Sequence, residues 1–278
     1  MTTRKLGFEG FCWFFGVVED RDDPLKLGRV RVRVHSIHDD KELIPNEVLH
    51  WATVVLPVTS ASINEVGISP TGIQVGATVF GFFMDGRETQ MPVVLGTLAG
   101  IPEEGKHDVS KLARGVAGVQ KQTLNGIEPE SAYNARYPYN KTITTEGGHS
   151  IEVDDTPGSE RLHVYHKSGT YIEIDHTGQR ATKVVDNDIE VVIKNKKVYI
   201  GGDCDITVLG DVTVSGAKSV AVQAGKAIKL KAPGGVIITE GSLSVKGAIS
   251  SGVGVSGSFS TPTGQTVHVQ NGIVTNIY

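Results

Sequence analysis

The chain has 278 residues and a formal net charge of −4. This charge argues against a protein that binds nucleic acid through a broad basic surface, because such binding needs many Lys and Arg contacts to phosphates. Two cysteines are too few for a disulfide framework, and no apolar run approaches the ~20 residues that span a bilayer.

Five strand-like runs separated by turn residues precede residue 101. The second run alternates strictly, with valines on one side and Arg29, Arg31 and Arg33 on the other. Five strands in about 100 residues predict a five-stranded Greek-key barrel of the OB type over residues 1–101. The five runs are 11–18, 29–37, 49–59, 77–84 and 91–98.

The three arginines allow two interpretations. They could form a basic stripe for an oligonucleotide, with Trp13 and Trp51 as stacking platforms. Alternatively, they form the solvated face of an amphipathic strand and pair with nearby acidic residues. The second interpretation is favoured, because that acidic cluster cancels the local positive field. Its members are Glu19, Asp20, Asp22 and Asp23.

Residues 102–145 form a predicted linker, polar and dotted with glycine, in which few positions show periodicity. It holds the available candidates for a pair of acid and base carboxylates. We assign them no catalytic role, because no acid/base pair in a plausible cleft presents itself. The candidates are Glu103, Glu104, Glu128 and Glu130.

From residue 204 onward, pairs of apolar residues separated by one residue recur every eight positions, with glycine in every gap. The pairs are Cys204/Ile206, Val212/Val214, Val220/Val222, Ile228/Leu230 and Val236/Ile238. Similar doublets occur at wider spacing upstream and downstream. They are Ile151/Val153, Leu162/Val164, Ile172/Ile174, Leu243/Val245, Val253/Val255 and Val267/Val269.

Each doublet offers one short apolar edge to a core, because alternate side chains of a strand share a face. Two buried residues cannot offset the ordering entropy of a strand, so the strands must stack into a column. Eight residues form only one side of a prism. The remaining sides must come from other copies of the chain, and threefold symmetry is the simplest arrangement that closes the prism. We therefore predict an all-β chain whose residues 146–278 form an intertwined trimeric β-helix (β-prism).

Other motifs that resemble chemical sites receive structural interpretations. Residues 252–257 match GxGxxG, but no acidic residue follows, so a turn is expected. His163, His166 and His268 could ligate a metal across a trimer axis. His163 and His268 alternate away from the apolar doublets, and for all three we expect a solvated or hydrogen-bonded role. Cys204 occupies an apolar phase and is interpreted as a small core residue. We expect no metal, cofactor or catalytic residue.

Two long motifs resemble a known family. The runs WFFGVVEDR at 13–21 and DPLKLGRVRV at 23–32 are similar to the N-terminal OB domain of the central spike of contractile phage tails. The runs GHSIEVDDTPG at 148–158 and LHVYHKSG at 162–169 resemble the opening of that family's triple-stranded β-helix. The resemblance implies a homotrimer that docks on a ring-shaped baseplate hub. The best-known member also carries a lysozyme domain, for which this chain has no counterpart.

The sequence thus predicts a non-enzymatic spike that is made in the host cytoplasm, assembled in the virion tail baseplate, and driven through the bacterial outer membrane. Few charges follow Gly235, which lowers the desolvation cost of entering a bilayer. The same end could instead seat a PAAR-like tip protein. The alternatives are a type VI secretion-like spike, a peptidoglycan-degrading spike enzyme, and an OB module on a stalk that binds sugar or nucleic acid.

Overall fold

The structure, a computed structural model, describes residues 11–64, 66–99, 131–241, 243–247 and 254–278. Most of the predicted linker, its four glutamates and Val253 lie outside these ranges. The chain forms two compact units, Met1–Asn195 and Lys196–Tyr278. Across the described ranges, no helix is long and apolar enough to cross a membrane.

Five strands of the first unit close into a barrel in the order β1-β2-β3-β5-β4. All neighbours are antiparallel except β3 and β5, which run parallel and close the barrel. Each strand falls within or next to a predicted run, so the predicted five-stranded barrel is confirmed. The strands are β1 (Trp13–Asp20), β2 (Val30–Val34), β3 (Trp51–Val54), β4 (Thr78–Phe83) and β5 (Pro92–Leu98).

The barrel core is formed by the inward phase of these alternating strands. In β1 the buried side chains are Phe14 and Val18, and in β2 they are the three valines of the predicted alternation. Gly81 of β4 lies in the same inward row. A Cβ there would lie 2.7 Å from the ring of Phe14 and would also meet the backbone of Val93, so this position needs glycine.

A second sheet of the first unit is antiparallel throughout, in the order β10-β9-β8-β7-β6. The register places the upstream doublets side by side, with Ile151 opposite Val164 and Val164 opposite Ile172. β6 lies in the segment that the sequence assigned to the linker. The strands are β6 (Asn140–Thr144), β7 (Ser150–Asp154), β8 (Arg161–Tyr165), β9 (Tyr171–Ile174) and β10 (Arg180–Lys183).

The octapeptide repeats form no sheet in the single chain. Between Lys183 and Gly257 the described residues form neither strand nor helix, and the doublet side chains there are exposed. Three antiparallel strands follow, β11 (Gly257–Ser260), β12 (Thr266–Gln270) and β13 (Ile273–Ile277). The intertwined β-helix, which needs three chains, and the three domain boundaries stay predictions.

Candidate functional site

The second sheet exposes the apolar side chains of one face to solvent and buries the charged side chains of its other face. In β7, Ser150, Glu152 and Asp154 are buried, whereas Ile151 and Val153 are 49% and 40% exposed. The exposed apolar residues of β6 to β9 define the apolar sheet face. They are Ile143, Ile151, Val153, Leu162, Val164, Ile172 and Ile174.

The opposite side, the polar sheet face, contains a buried ion network. The guanidinium of Arg161 donates to Glu173 Oε2 at 2.9 Å and also bonds to Glu152. The side chains of Arg161 and Glu152 are completely buried, and that of Glu173 nearly so. The Tyr133 ring lies 5.0 Å from the Arg161 guanidinium carbon. Burial of charges this deep is tolerated because each has a charged and hydrogen-bonded partner.

Residues 131–139, here called the strap, cover this network. The Ala132 N–H donates to Glu173 Oε1 at 3.0 Å and the Ser131 hydroxyl donates to Oε2 at 2.7 Å. Burial by itself would raise the pKa of Glu173. The Ala132 N–H, the Arg161 guanidinium and the Ser131 hydroxyl outweigh burial and hold the pKa below its usual value. Further along, the Arg136 N–H donates to Thr156 Oγ1 at 3.0 Å. The chain thus covers its own polar face.

The apolar sheet face has no such cover among the described residues. Its seven side chains are between 36% and 67% exposed. Burying the remainder of each is worth about 1 kcal/mol, or roughly 5–8 kcal/mol per chain. Isolated exposed apolar residues are ordinary, but a contiguous face of this kind marks a surface for association.

The candidate histidines do not form a common site. His163 faces away from Leu162 and Val164 as predicted, yet it is buried, with Nδ1 3.8 Å from Glu152 Oε1. Alternation indicates the face of a strand but not whether another segment covers it. His166 is exposed and bonds to Ser168, and His268 packs edge-on against Tyr278. Among the residues that the structure places, no group of three or more potential ligands could hold a metal.

The barrel arginines are paired with carboxylates as the favoured interpretation predicts, but their side chains are only 13–21% exposed, so they are not the solvated face that it expected. Arg29 pairs with Asp23 at 2.6 Å, Arg31 with Asp20 at 3.7 Å, and Arg33 with Glu19 at 3.1 Å. The Arg29 guanidinium, with the N–H groups of the loop, overcomes burial and holds the pKa of Asp23 far below its usual value. Trp51 lies under the Arg31 guanidinium, 4.6 Å from ring centre to carbon, rather than open for stacking on a base.

Trp13 belongs to a different surface, which sequence reasoning missed. It lies with Phe11, Phe15, Phe80 and Phe82 on the outside of β1 and β4, and we call these five residues the aromatic face. The Trp13–Phe15 ring centres are 5.3 Å apart, and the Phe15–Phe80 centres are also 5.3 Å apart. The signal was present in the sequence: aromatic residues occupy the outward phase of both strands. Cys204, interpreted as a core residue, is exposed in the single chain and makes no disulfide.

The closed five-stranded barrel and the second antiparallel sheet define the chain as an all-β protein with an N-terminal barrel of the OB type. Comparison with known proteins agrees with this class. Residues 33–213 match the family described as the Gp5 N-terminal OB domain. The chain is 34% identical over 287 aligned residues to Protein Gp5 of Vibrio phage KVP40, covering 78% of this chain and 68% of that protein.

A second relative is the pre-baseplate central spike protein Gp5 of Enterobacteria phage T4. The two are 49% identical over 98 residues, which is 33% of this chain and 17% of the T4 protein. The chain therefore belongs to the Gp5 family, the central spike proteins of contractile phage tails, and is a component of the virion tail baseplate.

Proposed function

We propose that the chain acts as a homotrimer whose apolar sheet faces and octapeptide doublets pack together around a threefold axis. The observation that carries this proposal is the inverted second sheet, which buries its charged residues and exposes its apolar ones. Downstream, Val212, Val214 and Val222 are 66%, 74% and 72% exposed in a single chain. Three copies would bury both sets, and small β-branched side chains suit a narrow axial core.

In this assembly the barrel docks on the baseplate hub and the β-helix pierces the bacterial outer membrane when the tail sheath contracts. The name of the T4 relative, a pre-baseplate central spike protein, supports the placement. Backbone hydrogen bonds between three chains would leave few open strand edges, which gives a rod that resists deformation. A tip protein of the PAAR type could cap the C-terminal end.

The trimer is tested by Val222→Asp, with Ala221→Asp as the matched control. Residue 222 lies in the apolar phase of an octad and residue 221 in the opposite phase. In the trimer, Val222→Asp would place three carboxylates near one axis, so we expect it to abolish trimers while Ala221→Asp keeps them. Light scattering and sedimentation, with and without SDS, measure the mass. An SDS-resistant Val222→Asp trimer, or a wild-type monomer of 29.6 kDa, would refute the proposal.

We infer that the spike works mechanically, without hydrolysing the cell wall. Support comes from the 102–145 segment, which is too short for a muramidase-like fold. Purified full-length protein should leave a peptidoglycan suspension turbid at concentrations where a lysozyme control clears it. Clearing by the purified protein would contradict this inference.

A further inference from the structure

We propose that the aromatic face is the surface through which the barrel docks on the hub ring, by apolar contact rather than by ion pairing. This inference rests on the hub docking proposed above and adds which side of the barrel takes part. The partner it fits is a protein surface with apolar pockets for aromatic side chains.

The first argument is the size and continuity of the aromatic face. Phe11, Trp13 and Phe15 are 61%, 56% and 39% exposed. At roughly 150–250 Å² per aromatic side chain, these three leave roughly 300 Å² of apolar surface in water. The neighbouring β5 region adds Met91, Leu95 and Leu98, which are also exposed and roughly double the area. A total near 600 Å² reaches the upper end of what monomers leave open.

The second argument is the distribution of charge. The stretches 13–18, 78–84 and 91–98 contain no charged residue. Within the five barrel strands, the charged residues lie only on β2 and at the end of β1, where the arginines are already paired within the chain. A partner that docked on that charged side would have to compete with these internal ion pairs, whereas the aromatic face presents surface that gains from any dry contact.

The third argument selects the hub over a second copy of the chain. Two identical faces that cover each other are related by a twofold axis. Three barrels joined to one threefold spike cannot all pair in this way, since one is always left over. A ring-shaped hub offers one equivalent site to each barrel. The aromatic side chains stand on a closed, hydrogen-bonded barrel, so docking costs little conformational ordering.

Hydroxyl-radical footprinting of the purified full-length chain and of intact phage tails tests the inference. Trp13, Phe15 and Met91 should be oxidised readily in the purified chain and protected several-fold in tails. Leu43 is 74% exposed and lies in the loop whose Asp39 and Ile44 carbonyls accept from Arg33, on the charged side of the barrel; it is the internal control and should react alike in both.

Each other footprint overturns a different statement. If the aromatic face is already protected in the purified chain, its partner is a second copy of the chain and the proposal is refuted. Protection of the charged side alone, around His35 and Asp39, would leave hub docking intact and refute the aromatic face. Equal oxidation of every barrel residue in both samples would refute hub docking itself.

A variant gives an independent measurement. Trp13→Thr with Phe15→Thr keeps β-forming residues on exposed positions, so the barrel should fold, as a thermal unfolding curve would verify. Loss of a central aromatic anchor typically weakens an interface by about 30-fold or more. When the double variant competes with wild type for incorporation into tails, its incorporation should fall by that factor, and the size of this loss should not depend on salt concentration. The control variant Leu43→Ser should be incorporated as well as wild type. Equal incorporation of the folded double variant would refute the proposal.

Discussion

Replacing Arg161 by methionine should destabilise the second sheet strongly. The change leaves the carboxylates of Glu152 and Glu173 buried on the polar sheet face without their guanidinium partner. Two charge-assisted hydrogen bonds are lost, each worth about 1.5–3 kcal/mol. Removing one partner of a buried ion pair typically costs 3–5 kcal/mol, so we expect a loss of about that size.

Hydrogen–deuterium exchange of the full-length protein measures this loss at the strands concerned. A loss of 3–5 kcal/mol raises the exchange rate of the β7, β8 and β9 amides by roughly 100-fold to several thousand-fold, since each 1.4 kcal/mol is a factor of ten. Arg180→Met is the matched control, because Arg180 lies on β10 of the same sheet and is exposed. Its effect should stay within about 0.5 kcal/mol.

A rescue experiment separates the ion network from simple packing. Replacing Glu152, Arg161 and Glu173 together by methionine should restore exchange to within about 1–2 kcal/mol of wild type, because apolar residues can replace a buried ion network. The reasoning is refuted if Arg161→Met behaves like Arg180→Met, or if the triple substitution is no more stable than Arg161→Met.

Two further predictions concern the core and the pH dependence. Gly81→Ala should lower the free energy of unfolding of the barrel by about 1–3 kcal/mol in thermal unfolding, because the new methyl overlaps Val93 and the Phe14 ring. Gly72→Ala is the control, since the space around Gly72 is open. Equal effects of the two substitutions would contradict the packing argument. The pKa of Glu173 is lower in the folded sheet than in the unfolded chain, where it is about 4.3, so the carboxylate stabilises the sheet at pH values above that value. This contribution is lost as the pH falls through the folded pKa. The protection factors of the β9 amides, which correct for the intrinsic pH dependence of exchange, should therefore fall more on acidification in wild type than in Glu173→Gln. Identical pH profiles would show that the carboxylate is not responsible.

The strands were the easiest feature to predict from the sequence. Alternation in β2 indicated which residues enter the barrel core, and the doublet Leu162/Val164 indicated one face of β8. The pairing of Arg29, Arg31 and Arg33 with carboxylates was also predictable, because the acidic cluster lies close in sequence. In each case the information is local and follows from the period of two in a strand.

Burial of His163 and the role of the strap could not be predicted in the same way. Nothing in the alternation of β8 indicates that residues 131–139 cover its polar side, because that contact joins segments far apart in the chain. The aromatic face was missed for a related reason: Trp13 and Phe80 become neighbours only when β1 pairs with β4.

The amino-acid sequence by itself determined the positions of the five barrel strands and of β7 to β9, the inward side of the barrel and the repeat of apolar doublets, since these depend on the spacing of side chains along one strand. Only the tertiary structure decided which face of the second sheet is covered. Both faces alternate equally well in sequence, and the strap buries the charged one because Arg161, Glu152 and Glu173 can satisfy one another there. The apolar face is thereby left exposed in the single chain.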